Sequence, residues 1–115
     1  MTSLPDLRDR FRGALLGLAA GEALGAPAEF LSVQQIAERY GVIAEIIGGG
    51  CHNVAPGQTT DATDMALCLA ESLTEHGTHH PEDAMRRYLD WFEGKPRDVS
   101  LTVRTVLLSY RAGTP

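Results

Sequence analysis

The residues best equipped for chemistry gather at Thr60, Asp61 and Asp64, where a glycine-rich approach (Gly48-Gly49-Gly50, then Pro56-Gly57) leads into the apolar run DATDMALCLAESL. A hydroxyl and two carboxylates are hard oxygen donors, suited to Mg²⁺, Mn²⁺ or Ca²⁺ rather than to zinc or copper. Asp61 and Asp64, three apart, share one side of a helix. The same residues also suit a plain helix start, with Thr60 or Asp61 as N-cap and the acidic groups stabilised by the helix dipole. These donors do not fill a cation's coordination sphere, so a metal site needs ligands from elsewhere in the chain. Glu29, in a loop or broken turn after Pro27, is the best-placed candidate.

The helix carrying this turn is expected to bury Ala62, Met65, Ala66, Leu69 and Leu73 and to stop at Gly77. Ahead of it, a first helix runs from near Asp6 to about Leu24, with Leu7, Phe11, Leu15 and Leu18 as its apolar stripe. Gly13, Gly17, Gly21 and Gly25 recur every four residues, drifting by about 40° per step. The first three lie inside the helix at a cost of roughly 1 kcal/mol each relative to alanine, which implies close approach of another backbone or a ligand; Gly25 serves as a stop. Ser32 and Gln35 form a capping box for a short helix with Val33, Ile36, Ala37 and Tyr40 inward and Gly41 at its end. Val42 to Ile47 reads as an extended connection or a lone strand.

The glycines at 48–50 lack the Lys-Ser/Thr of a phosphate loop and do not fit GxGxxG, so on their own they read as a flexible loop, with His52 facing solvent rather than binding metal. Pro81, followed by Glu82 and Asp83, opens a fourth helix with Met85, Tyr88, Leu89 and Phe92 inward, Trp91 off that stripe, and Gly94 as terminator. Asp98 or Ser100 caps a fifth, whose stripe is Val103, Val106, Leu107 and Tyr110 and which stops at Gly113. Five helices without a convincing strand pair predict a single all-α domain over residues 1–115.

At 115 residues the chain supports one modest core. Fifteen acidic against ten basic residues give a net charge of -5 with the cations scattered, which excludes nucleic acid and anionic membranes as expected partners. The most apolar run, 13–28, is too short and interrupted to cross a bilayer and lacks a basic leader. Cys51 and Cys68 show no CxxC spacing. The expectation is a reduced, cytoplasmic protein.

The run RGALLGLAAGEALGAPAEF from Arg12 to Phe30, the Gly48–Gly50 and Pro56-Gly57 turns, the stretch TDATDM from Thr60 to Met65 and DVSLT from Asp98 to Thr102 together resemble the ADP-ribosylglycohydrolase family, including the dinitrogenase reductase activating type. The resemblance implies an orthogonal all-α bundle, here its N-terminal part, holding two divalent ions, Mg²⁺ or Mn²⁺. It implies hydrolysis of the bond between ADP-ribose and a protein side chain, often arginine. By the same resemblance Glu29, Thr60 and Asp61 match metal-site residues, Glu29 stands near the attacking water, Asp98 sits beside the substrate ribose, and Gly48, Gly49, Gly50 and Ser100 approach ADP-ribose. The first-helix glycines would pack closely beneath the metal cleft.

This chain departs from the family pattern at Ala62, where the second aspartate of T-D-D-T-x-M stands, at Glu22 for aspartate, and at Thr59 for an aromatic. Asp64 is no substitute for the lost ligand, since positions 62 and 64 lie about 200° apart around a helix. The C-terminal D-x-D-T motif has no counterpart. Weak or absent turnover by the isolated chain follows, with an inactive ADP-ribose-binding or structural module as the alternative. Apolar helix faces left exposed in a part-fold predict self-association or a complementing chain.

Overall fold

The computed structural model describes residues 6–114, which form five α-helices: α1 Leu7–Gly25, α2 Val33–Tyr40, α3 Asp61–His76, α4 Pro81–Glu93 and α5 Leu101–Arg111, with a 3₁₀ turn at Ala26–Ala28. The all-α class expected from the sequence is the class observed. Among the described residues there is no strand, only an isolated antiparallel bridge between Gly49 and Val54. Nor, among them, is any single helix long and apolar enough to cross a membrane. The chain divides into two compact units, one ending at Thr59 and one beginning at Thr60.

In the first unit Asp6 caps α1 by accepting the amide of Asp9 at 2.8 Å. Gly25 is its last residue, and Pro27 in the turn that follows is fully buried. The expected inner stripe is not buried: Leu7 and Phe11 are 63% and 64% exposed, and Leu15 and Leu18 are exposed too. The glycine groove is equally open, since a Cβ built at position 13, 17, 21 or 25 meets nothing within 4 Å. Periodicity identifies a face that is able to be buried but does not supply its partner. The capping box of α2 forms reciprocally, Ser32 Oγ accepting from the Gln35 amide at 3.2 Å and Gln35 Oε1 from the Ser32 amide at 2.8 Å. Ile36 and Tyr40 are half-buried as expected, whereas Val33 and Ala37 are exposed. Residues 42–47 form no strand; they are the extended connection.

In the second unit Thr60 stands at the N-cap of α3 without a capping side-chain bond, and Gly77 closes the helix in the left-handed region at φ 67°. His80 rather than an oxygen residue caps α4, its Nδ1 accepting the Asp83 amide at 3.3 Å. The two helices meet along a polar seam. Trp91 Nε1 donates to Asp64 Oδ2 at 2.9 Å, so the indole that falls off the α4 stripe is satisfied by α3. Arg87 donates from Nε to Asp83 Oδ2 at 2.7 Å and from Nη1 to Glu71 Oε2 at 3.2 Å, and it also pairs with Glu75; Arg86 pairs with Asp83. Asp64, Cys68, Glu71 and Glu75 line the face that α4 covers, about 150° around the helix from the apolar stripe. For this reason Ala62 and Leu73, expected inside, are exposed, while Met65, Ala66 and Leu69 are half-buried and the buried residues of α3 are Thr63 and Ser72.

Ser100, not Asp98, caps α5, accepting the Val103 amide at 3.3 Å. Leu107 is buried at 2% exposure and Val103 is half-buried, but Val106 and Tyr110 face outward, a narrower stripe than expected. Arg104 stacks over Phe92 at 5.7 Å and Arg111 reaches Glu93 at 3.1 Å, so charged stems do part of the covering between α4 and α5.

Two consequences concern stability. Trp91→Phe keeps the ring and removes the donor that Asp64 uses, so the free energy of urea unfolding should fall by about 1–3 kcal/mol. The Arg87 guanidinium, and after it Arg86, hold the Asp83 carboxyl well below the usual carboxylate range against the opposing effect of burial. Its folded pKa therefore lies below the unfolded value of about 3.9, and the stabilisation is present in full above that value and lost progressively as the pH falls from it through the depressed folded pKa. The melting temperature should drop on acidification below about pH 4, and Asp83→Asn should lower it at neutral pH while flattening that acid limb.

Candidate functional site

Residues 48–58 form a closed loop rather than a slack one. Gly48, Gly49 and Gly50 take φ values of 70°, 87° and 71°, a left-handed run that residues bearing a Cβ rarely adopt. Gly49 and Val54 exchange backbone bonds at 2.8 and 3.2 Å, and the Asn53 amide closes a turn onto the Gly50 carbonyl at 3.1 Å. Pro56-Gly57 makes the next turn: the Gln58 amide donates to the Ala55 carbonyl at 2.9 Å, and Gln58 Oε1 accepts the Ala55 amide at 2.9 Å. Gly50 is pressed against the segment before Glu29. A Cβ there would stand 2.1 Å from the Ala26 carbonyl oxygen and 3.1 Å from Pro27 Cα.

This approach sets the tip of the loop beside Glu29. His52 Nε2 lies 3.2 Å from Glu29 Oε2, and the imidazole is only 17% exposed. The expectation of a solvent-facing His52 is corrected: left-handed Gly50 and Asn53 (φ 48°) turn the chain back on itself and carry the ring inward. Cys51 Sγ belongs to the same cluster, its ligand atom and those of Glu29 and His52 all lying within 4.8 Å of one another. Glu29 follows the Ala26–Ala28 turn, and the next residue, Phe30, has φ 61°, is 84% exposed and stands edge-on to His52 with the ring centroids 6.4 Å apart. A bulky residue in the left-handed region stores roughly 1 kcal/mol of strain, as backbones at working sites often do. Glu29, Gly50, Cys51 and Arg39 line one open cleft of about 330 Å³. Sequence reasoning found Glu29 and the glycines and passed over Cys51 and His52; the available signal was two adjacent donors directly after a glycine run able to reverse the chain.

The other expected site residues belong to the second unit. Thr60 is 8% exposed, Asp61 is half-buried in the first turn of α3, and Ala62 beside them is exposed. The Thr60 hydroxyl makes no capping bond, and hydroxyl and carboxylate are hard oxygen donors of the kind that suit Mg²⁺ or Mn²⁺. Ala62 adds no donor, and Asp64 is engaged by Trp91. Asp98 is half-buried in the approach to α5, where Ser100 acts as the cap.

A family model described as ADP-ribosylglycohydrolase matches residues 3–115. The ADP-ribosyl-[dinitrogen reductase] glycohydrolase of Rhodospirillum rubrum is 42% identical over 106 residues, covering 92% of this chain and 36% of that protein. The ADP-ribosylarginine hydrolase Tri1 of Serratia proteamaculans is 34% identical over 109 residues, covering 89% of this chain and 28% of that one. A solved structure described as an ADP-ribosylglycohydrolase-related protein complex superposes with a TM-score of 0.76 at 43% identity, covering 91% of this chain and 34% of its own. The chain thus spans about a third of the length of the curated relatives it matches.

The packing at Gly50 gives a direct test. Gly49→Ala places a Cβ in open space and meets only the strain of a positive φ, about 1–2 kcal/mol. Gly50→Ala adds a backbone collision to that strain, so its loss in chemical denaturation should exceed that of Gly49→Ala by at least about 1 kcal/mol.

Proposed function

The chain belongs to the ADP-ribosylglycohydrolase family, and we propose that its site acts on the N-glycosidic bond joining ADP-ribose to a protein side chain of the arginine type. The observation that carries this reading is the placement of Glu29, a carboxylate held at a cleft by a glycine loop tied through Gly49–Val54 and pressed on Ala26. We assign Glu29 to the attacking water. As the water oxygen bonds to the anomeric carbon, its proton passes to the carboxylate; the electron pair of the breaking C–N bond stays on nitrogen, which is then protonated. Gly49 faces open space and leaves room for close backbone approach by ADP-ribose, while Gly48 and Gly50 pack on the protein's own backbone beside it. Asp98 is assigned to the ribose hydroxyls, and Ser100 lies next to it at the start of α5.

Thr60 and Asp61 are the residues that would hold Mg²⁺ or Mn²⁺. Bound there, such an ion would act as a Lewis acid and orient substrate and water. The names of relatives, an ADP-ribosyl-[dinitrogen reductase] glycohydrolase and an ADP-ribosylarginine hydrolase, support an ADP-ribosylated protein as substrate. Ala62 favours a second reading, a module that binds ADP-ribose without turning it over, because a methyl group stands where the family motif carries a carboxylate.

The test is release of ADP-ribose from an arginine-ADP-ribosylated protein in Mg²⁺ or Mn²⁺ by this chain and by Ala62→Asp. We expect little release by the parent and a gain of at least about tenfold in the variant, the scale on which even less direct contributions to a metal site are felt. Full turnover by the parent would show that Ala62 is not limiting. Release by neither, with calorimetric heat on adding ADP-ribose, would establish the binding module instead.

A further inference from the structure

We propose that Glu29, Cys51 and His52 form a binding site for a thiophilic divalent ion of the Zn²⁺ class, chemically different from the hard-oxygen pair at Thr60 and Asp61. The three ligand atoms lie within 4.8 Å of one another, and Glu29 Oε2 and His52 Nε2 are 3.2 Å apart. Tetrahedral zinc, with bonds of about 2.0–2.3 Å, sets its donors roughly 3.3–3.8 Å from one another, so small side-chain adjustments close the set around an ion. One sulfur, one nitrogen and one carboxylate oxygen form a donor set that zinc accepts readily and magnesium does not. Three protein ligands leave a fourth position for water or a ligand in the cleft that Glu29 and Cys51 line.

The backbone holds these donors in place. Cys51 and His52 are the central residues of the turn closed by Asn53 onto Gly50, and that turn cannot slide away from Glu29 while Gly50 packs on Ala26. Cys68 makes a poor alternative thiol: it lies 3.8 Å from the Arg87 carbonyl, and burial, followed by the charges of Glu71 and Asp64, pushes its pKa up. His76 and His80 stack at 4.4 Å and offer imidazole without sulfur. The inference rests on donor geometry in the first unit and stands whether or not Glu29 also serves hydrolysis.

The probe is Co²⁺ titrated into the reduced chain, because a cobalt–thiolate bond has its own charge-transfer absorption in the near ultraviolet. We expect one equivalent per chain to develop that band, Zn²⁺ to abolish it, and excess Mg²⁺ to leave it unchanged. Cys51→Ser should eliminate the band, His52→Ala should weaken binding by at least about tenfold, and Cys68→Ser should have no effect. Since Cys51 is exposed, its serine variant keeps the fold, and an unchanged circular dichroism spectrum and melting temperature without metal check this. A Zn²⁺-induced rise in melting temperature, present in the parent and absent in Cys51→Ser, is the second readout. Co²⁺ binding without a thiolate band, or a band that survives Cys51→Ser, would overturn the proposal.

Discussion

A side-chain carbon at position 50 would stand 2.1 Å from the Ala26 carbonyl, well inside contact distance, so the architecture around Glu29 depends on the absence of one atom. That absence lets the loop lie flat on the Ala26–Pro27 segment. Gly48 obeys the same constraint at the other end of the turn, where a Cβ would meet the Val54 carbonyl at 2.6 Å. Between these two contacts the chain makes a short bridge and a tight reversal, with Gly48 and Gly50 required by packing and Gly49 by its positive φ alone. A glycine triplet that looks like slack in the sequence acts as a clamp in the fold.

The second unit is held by a different device. Its two long helices are tied by a seam of guanidinium, indole and carboxylate groups: Arg87, held by Asp83 of its own helix, reaches Glu71 and Glu75 of α3, and Trp91 reaches Asp64. Such a seam specifies register strongly, because sliding one helix by a turn would leave several partly buried charges without partners. It also sorts the acidic residues of the α3 first turn. Asp64 points to Trp91 and is structural, whereas Asp61 lies in the same first turn and Thr60 at its N-cap. Three residues of one motif therefore divide between two roles according to where α4 lies.

Local signals were read well from the sequence. Ser32 with Gln35 and Gly77 after His76 rest on hydrogen bonds between residues within one turn, and Pro81 opening α4 on its own fixed φ and missing N–H, all of which a sequence displays directly. Burial was read poorly, because it depends on where a partner lies. The apolar periodicity of α1 is real while Leu7 and Phe11 stay exposed, and Ala62 and Leu73 point away from the polar face of α3 that α4 chose. In the same way Glu29 was legible as a candidate through its family motif, but the neighbours that define its surroundings were not. Cys51 follows it by twenty-two residues, and only the tertiary contact at Gly50 brings them together.

Two kinds of chemistry are proposed for the one carboxylate of Glu29. A carboxylate accepts hard and borderline ions alike, so its own identity does not choose between them; its company does. The company observed is an imidazole 3.2 Å away and a thiol in the same cluster, donors that favour a softer ion than the oxygen pair of α3 would. An ion bound to one carboxylate oxygen draws electron density from the group, so Glu29 is a weaker base toward water while the ion is held. The two residues that follow the glycine run are therefore the surroundings that bear most directly on Glu29.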